Sequence, residues 1–133
     1  EHRWENYIDK FHQAKQIGKI FQVRSIFLQG LFLTDKQDLW LKANCNFSDK
    51  IFNWLEKYKL KTNSKNLRQL LIRYIISIDW IDSIVIGFNI KREIVENISY
   101  LNNKKLSKRI IDDINKNKIK LNENILNPSN WKL

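Results

Sequence analysis

The stretch SIVIGFNIKREIVENI, residues 83–98, decides how the chain folds. Ile84, Val85 and Ile86 are consecutive apolar residues, the pattern of a short strand buried on both faces. Gly87 ends that run, and from about Lys91 the spacing turns helical, with Ile94, Ile98 and Leu101 on the inward side. A strand that passes through a glycine into a helix leaves free N–H groups and the positive end of the helix dipole above the strand. Glycine at the junction lets a ligand come close to the backbone. Glu93, Glu96 and Asn97 lie at i, i+3 and i+4, so they share a helix face and can bond a heterocycle and a ribose. An ordinary polar helix surface has the same spacing.

Upstream, the periods alternate in the same way. Trp4, Ile8, Phe11 and Ala14 recur at helical spacing and Gly18 supplies a C-terminal cap. A β-rich run, IFQVRSIFL, spans residues 20–28 and ends at Gly30, with Arg24 and Ser25 towards its end. Arginine there can stack on a planar ring, and serine can bond a phosphate or an amide. Residues 34–47 are polar and irregular and read as a long loop. Ser48 or Asp49 caps a helix with Ile51, Trp54, Leu55 and Tyr58 inward. Residues 61–64 interrupt it, and Leu67, Leu70, Leu71, Tyr74, Ile75 and Ile78 trace another helix. Ser107 caps a last helix built on Ile110, Ile111 and Ile114, and NPSNWKL closes the chain as an extended tail. Strands separated by helices make this an α/β chain of parallel βα units, mostly helical by residue count. Two strands cannot sustain a parallel sheet without neighbours. With no repeat or linker, residues 1–133 therefore read as a single partial domain.

Composition narrows the function classes. Apolar residues make up 43%, with five Trp and seven Phe, enough for a core and too much for a disordered tail. No apolar run approaches the roughly 20 residues that span a bilayer, and the N-terminus lacks a secretory layout. One cysteine, Cys45, cannot form an internal disulfide and fits a reducing cytoplasm, the expected location. One Cys and two His cannot close a metal site. His2 and His12 read as solvent or packing residues, and Tyr7, Tyr58, Tyr74 and Tyr100 as helix aromatics. The net charge of +10 keeps a small basic helical nucleic-acid-binding module as the alternative reading. It is the weaker one, because the lysines are scattered and only Lys104, Lys105, Lys108 and Arg109 cluster. The chain starts at Glu1 and contains no Met, so it reads as a piece of a longer polypeptide.

Taken together, VRSIFLQG and IGFNIKREIVEN resemble the aldo/keto reductases. That family's seventh strand has a pattern like aromatic-Ser-Pro-Leu-Gly-x-Gly, matched here through Ser25 and Gly30. The resemblance puts Arg24 at the nicotinamide-stacking position and Phe27 and Gln29 at pyrophosphate-facing ones. The eighth strand and its helix have a pattern like Ile-Pro-Gly-x-x-x-x-x-[Arg/Gln]-x-x-Glu-Asn, matched through Gly87, Glu96 and Asn97, which implies adenine contacts for the last two. Phe88, Asn89 and Glu93 fall within the same cofactor-binding stretch. The closing NPSNW is similar to the C-terminus of a bacterial subgroup found with surface-polysaccharide genes. Ile26 and Ile86 replace frequent prolines, and Glu93 stands where Arg or Gln is common, a carboxylate that repels a 2′-phosphate unless Lys91 and Arg92 compensate.

The resemblance implies the C-terminal portion of a (β/α)8 TIM barrel: helix 6, strand 7, helix 7, strand 8, helix 8 and a tail. It implies a bacterial oxidoreductase that uses NADP or NAD to reduce a small-molecule carbonyl substrate by hydride transfer. The family's Asp, Tyr, Lys and His catalytic group belongs to the first half of the barrel, which nothing here matches. The expectation is a cofactor cradle without catalytic residues, inactive alone.

Overall fold

The computed structural model describes residues 2–132; the side chains of Arg3 and of His2, read above as a solvent or packing residue, lie outside the described part. Two three-residue strands, β1 (Gln22–Arg24) and β2 (Ser83–Val85), pair in parallel with Gln22 opposite Ser83 and Arg24 opposite Val85. Around them lie α1 (Ile8–Gln16), α2 (Gln37–Lys42), α3 (Ser48–Lys61), α4 (Leu67–Ile76), α5 (Lys91–Leu101), α6 (Lys108–Lys116) and the short α7 (Glu123–Leu126). The chain is mostly helical with a small parallel sheet, an α/β arrangement.

The start of the sheet is clamped. Phe21 N–H donates to the Asp82 carboxylate at 2.8 Å, while Asp82 N–H donates to Phe21 O at 2.9 Å. Lys15 from α1 bonds the same carboxylate, and Trp80 meets Phe11 at 4.5 Å and Phe21 at 5.8 Å between ring centroids. Gly18 closes α1 as its position suggests. It adopts φ +78°, and Lys19 N–H reaches back to Ala14 O at 3.0 Å.

One face of the sheet is covered. Ile84 and Ile86 pack with Phe27, Ile72 and Tyr100, beneath α4 and α5. Val85 on the other face is 48% exposed, so the strand is buried on one side rather than two. The β-rich run is also shorter than residues 20–28, because Ser25 turns to φ +60° and leaves the extended region.

The larger core lies between α3, α4, α6 and the tail, around Leu55, Tyr58, Leu70, Ile114 and Ile125. Two segments differ from the sequence expectation here. Residues 34–47 are not a plain loop: α2 inserts Trp40, fully buried, and its indole N–H donates to Thr34 O at 2.9 Å. The tail is not extended. Asn122 caps α7 by accepting from Ile125 N–H at 3.1 Å, and Pro128 opens a final 3-10 turn, Pro128–Asn130. Trp131 then donates to Ile125 O at 3.0 Å, and Lys132 N–H donates to Lys42 O at 2.8 Å, tying the tail to α2.

Caps also moved. Asn66 caps α4 by accepting from Gln69 N–H at 2.9 Å, whereas Ser107 precedes α6 without a side-chain cap bond and Ser48 and Asp49 lie inside α3. Because Trp40 is a sealed core residue, Trp40→Ala should lower the unfolding free energy by about 3–5 kcal/mol. Denaturant titration followed by circular dichroism measures it; a loss under about 1 kcal/mol contradicts this packing.

Candidate functional site

Parallel pairing sends β1 and β2 out of the sheet at the same end, so their exit segments, residues 25–30 and 86–90, leave side by side. The β1 exit has an unusual backbone. Ser25, Leu28 and Gln29 all take positive φ (60°, 48° and 54°), followed by Gly30 at 86°. Left-handed conformation costs a residue with a Cβ roughly 1–2 kcal/mol. Burial of Phe27 and Leu28 holds the turn in place, as do the bonds Leu28 N–H to Ser25 O at 2.9 Å and Phe32 N–H to Phe27 O at 3.2 Å.

The β2 exit is open. A Cβ added to Gly87 would meet nothing within 4 Å, and Phe88 and Asn89 are exposed. Helix α5 then turns its polar row, not its aliphatic one, towards α4. Asn97 and Tyr100 are buried there, while Ile98 and Leu101, expected inward, are 55% and 41% exposed. The reason is the face that α4 offers. Asn66 donates to Tyr100 Oη at 2.8 Å, Gln69 donates to Asn103 Oδ1 at 3.1 Å, and Arg68 lies between them in sequence.

Arg68 is the centre of the site. Its Nη2 donates to Glu93 Oε1 at 2.8 Å, its Nη1 donates to Asn97 Oδ1 at 3.4 Å, and its guanidinium lies 5.1 Å from the Phe27 ring centroid. Glu93 also accepts from Asn89 N–H at 2.7 Å, so its carboxylate caps the α5 N-terminus while pairing with Arg68. The Asn89 N–H bond first, and Arg68 after it, hold the Glu93 carboxyl below the usual carboxylate range.

Of the residues singled out in the sequence, the structure thus gathers Phe27, Glu93 and Asn97 around one guanidinium, with Asn89 bonded to Glu93. Phe27 is in the core, which leaves only its backbone to face a ligand. Glu96 is on the flank, 3.5 Å from Arg92. Arg24, Ser25 and Gln29 are exposed at the β1 exit beside half-buried Gly30, and the Arg24 side chain has no hydrogen bond or ion pair among the described residues. Asn97 Nδ2 likewise has no hydrogen bond among the described residues. Arg68 escaped the sequence reading because nothing in linear order couples positions 68 and 93.

No family model matches the chain, and no curated protein or solved structure does so. No helix among the described residues is long and apolar enough to cross a membrane.

A carboxyl whose pKa is lowered by folding stabilises the fold above its unfolded pKa, about 4.3 for Glu. That stabilisation disappears as pH falls through the folded value. Glu93→Gln should therefore be less stable than the native chain at pH 7, and the gap should close as the pH falls below the ordinary Glu range. Urea titrations of both proteins across pH 3–7 measure it; a gap independent of pH rules out an ionic role for Glu93.

Proposed function

We propose that the chain is the cofactor-binding, C-terminal part of an NAD(P)H-dependent aldo/keto reductase, and that its two strands are neighbours in a (β/α)8 barrel. The single observation that carries this reading is the parallel, in-register pairing of β1 and β2, which sets the VRSIFLQG and IGFNIKREIVEN exits next to each other. Barrel enzymes build their sites at that end of the strands.

The residues present fit a nicotinamide dinucleotide. Arg24 has no partner among the described residues and can stack by its guanidinium plane on the nicotinamide. The open space at Gly87 admits a pyrophosphate beside the β2 exit. Asn97 Nδ2 and the Glu96 carboxylate offer one donor and one acceptor to an adenine edge. Glu93 is neutralised by Arg68, so its charge does not exclude a 2′-phosphate, and NADP and NAD both remain within reach. The cofactor would supply the hydride for carbonyl reduction, and this chain's residues would bind and orient it. Proton transfer to the carbonyl substrate would come from the barrel's other half, so the chain alone has no turnover.

Titration with NADPH and NADH, followed by energy transfer from tryptophan to the nicotinamide, should show saturable binding of at least one of them. Glu96→Ala, at a half-exposed position, should weaken it about ten-fold, the effect of losing one hydrogen bond to a charged group. Absence of saturable binding by both the chain and the longer polypeptide containing it would overturn the proposal.

A further inference from the structure

A cavity of about 410 Å³ opens between α3, α4, α6 and the exit of β1. Its walls include Trp54, Leu55, Leu70, Leu71, Ile114 and Ile119. Small-molecule sites fall in the range of roughly 300–1,000 Å³, with apolar walls and a few polar groups.

The polar residues that line it have a defined charge balance. No Asp or Glu is among them. Lys118 is already paired with Glu5. Tyr74 donates to Asn115 Oδ1 at 2.7 Å, and burial pushes its phenol up to about 12, so it stays neutral. Among the described residues, Arg24 is the lining cation without a counter-ion, and Ser25 follows it on the wall. The cavity is thus apolar with one uncompensated guanidinium, the group best suited to a bidentate carboxylate.

We infer that this cavity binds an amphipathic carboxylate, with its aliphatic body among the α3, α4 and α6 side chains and its head on Arg24. A neutral body alone leaves the guanidinium unmatched, and a cation is repelled by it. The site does not depend on the cofactor reading, although the two share Arg24 and Ser25. A guanidinium can stack by its plane and bond a carboxylate by its edge, so one residue can serve both.

Decanoate is the probe, titrated calorimetrically into the chain with decanol and decyltrimethylammonium as comparisons. One saturable site for decanoate is expected, with decanol about ten-fold weaker or more and the cation not bound. Arg24→Gln should weaken decanoate about ten-fold or more while leaving the far-ultraviolet dichroism unchanged. Ile119→Trp, at a half-buried position on the wall, should fill the space and abolish binding. Glu96→Ala, which strikes only the proposed cofactor contacts, should leave decanoate unaffected, so the two proposals fail separately. No saturable decanoate site, equal binding of decanol, or unchanged affinity in Arg24→Gln overturns the inference.

Discussion

The geometry of the candidate site depends on one guanidinium. Arg68 is pinned by the Glu93 carboxylate and the Phe27 ring, so it joins the β1 exit, α4 and α5 at a single point. Its side chain is only 17% exposed, so the charge must be matched locally. Glu93 does this while capping the helix on which it sits. Its bond to Asn89 N–H fixes where α5 begins relative to β2, and its bond to Arg68 fixes α5 against α4. The direction in which the β2 exit opens follows from that double duty. A neutral residue at 93 would leave Arg68 with an unmatched charge and α5 with a looser start.

The β1 exit obeys a different constraint. Successive left-handed residues are costly, and they persist where the surroundings over-determine them. Phe27 and Leu28 provide this by facing separate cores: Phe27 joins Ile72 and Tyr100, while Leu28 joins the large cluster around Leu55 and Leu70. A chain that sends adjacent side chains into two cores must turn sharply between them. That turn leaves Arg24 and Ser25 exposed at the end of the strand and at the mouth of the cavity. Strain at the exit and the exposure of Arg24 beside it therefore share one cause, the splitting of the apolar side chains between the two sides.

These features explain what could be read from the sequence. The two strands and the helices from α3 to α6 carry enough apolar residues at one period to be legible. Helix α2 does not: it is six residues long, and Leu39 and Leu41 on either side of Trp40 are exposed. A single indole fixes the segment, and one residue has no period. The α7 turn is shorter still and rests on the Asn122 cap. Helix α5 misled for a better reason. Of its expected inward row, Ile94 is half-buried while Ile98 and Leu101 are exposed, because the α4 surface opposite carries Asn66, Arg68 and Gln69. Hydrogen-bonding complementarity between helices decided the rotation. In the site, Glu93 and Asn97 could be grouped by helical spacing, but their partner came from another element and left no mark in linear order.

The rotation of α5 has a consequence for what lies around this chain. Turning Glu93, Asn97 and Tyr100 inward leaves Val95 at 63% and Ile98 at 55% exposure, next to Phe88 at 56% and Ile90 at 52%. On the sheet, the face opposite Ile84 carries Val85, together with Gln22, whose Nε2 donates to Ser83 Oγ at 3.2 Å. The outer edges of β1 and β2 have no strand partner among the described residues. A parallel strand normally has both faces and both edges covered. Covering each exposed aliphatic side chain would contribute up to about 1.5–3 kcal/mol. The three open surfaces are of the kinds that the neighbouring βα units of a barrel would cover: a strand along each edge, a helix against the α5 row and facing side chains over the Gln22–Val85 face. Each open surface arises from a different local cause: the rotation of α5, the one-sided cover of the sheet and its width of two strands.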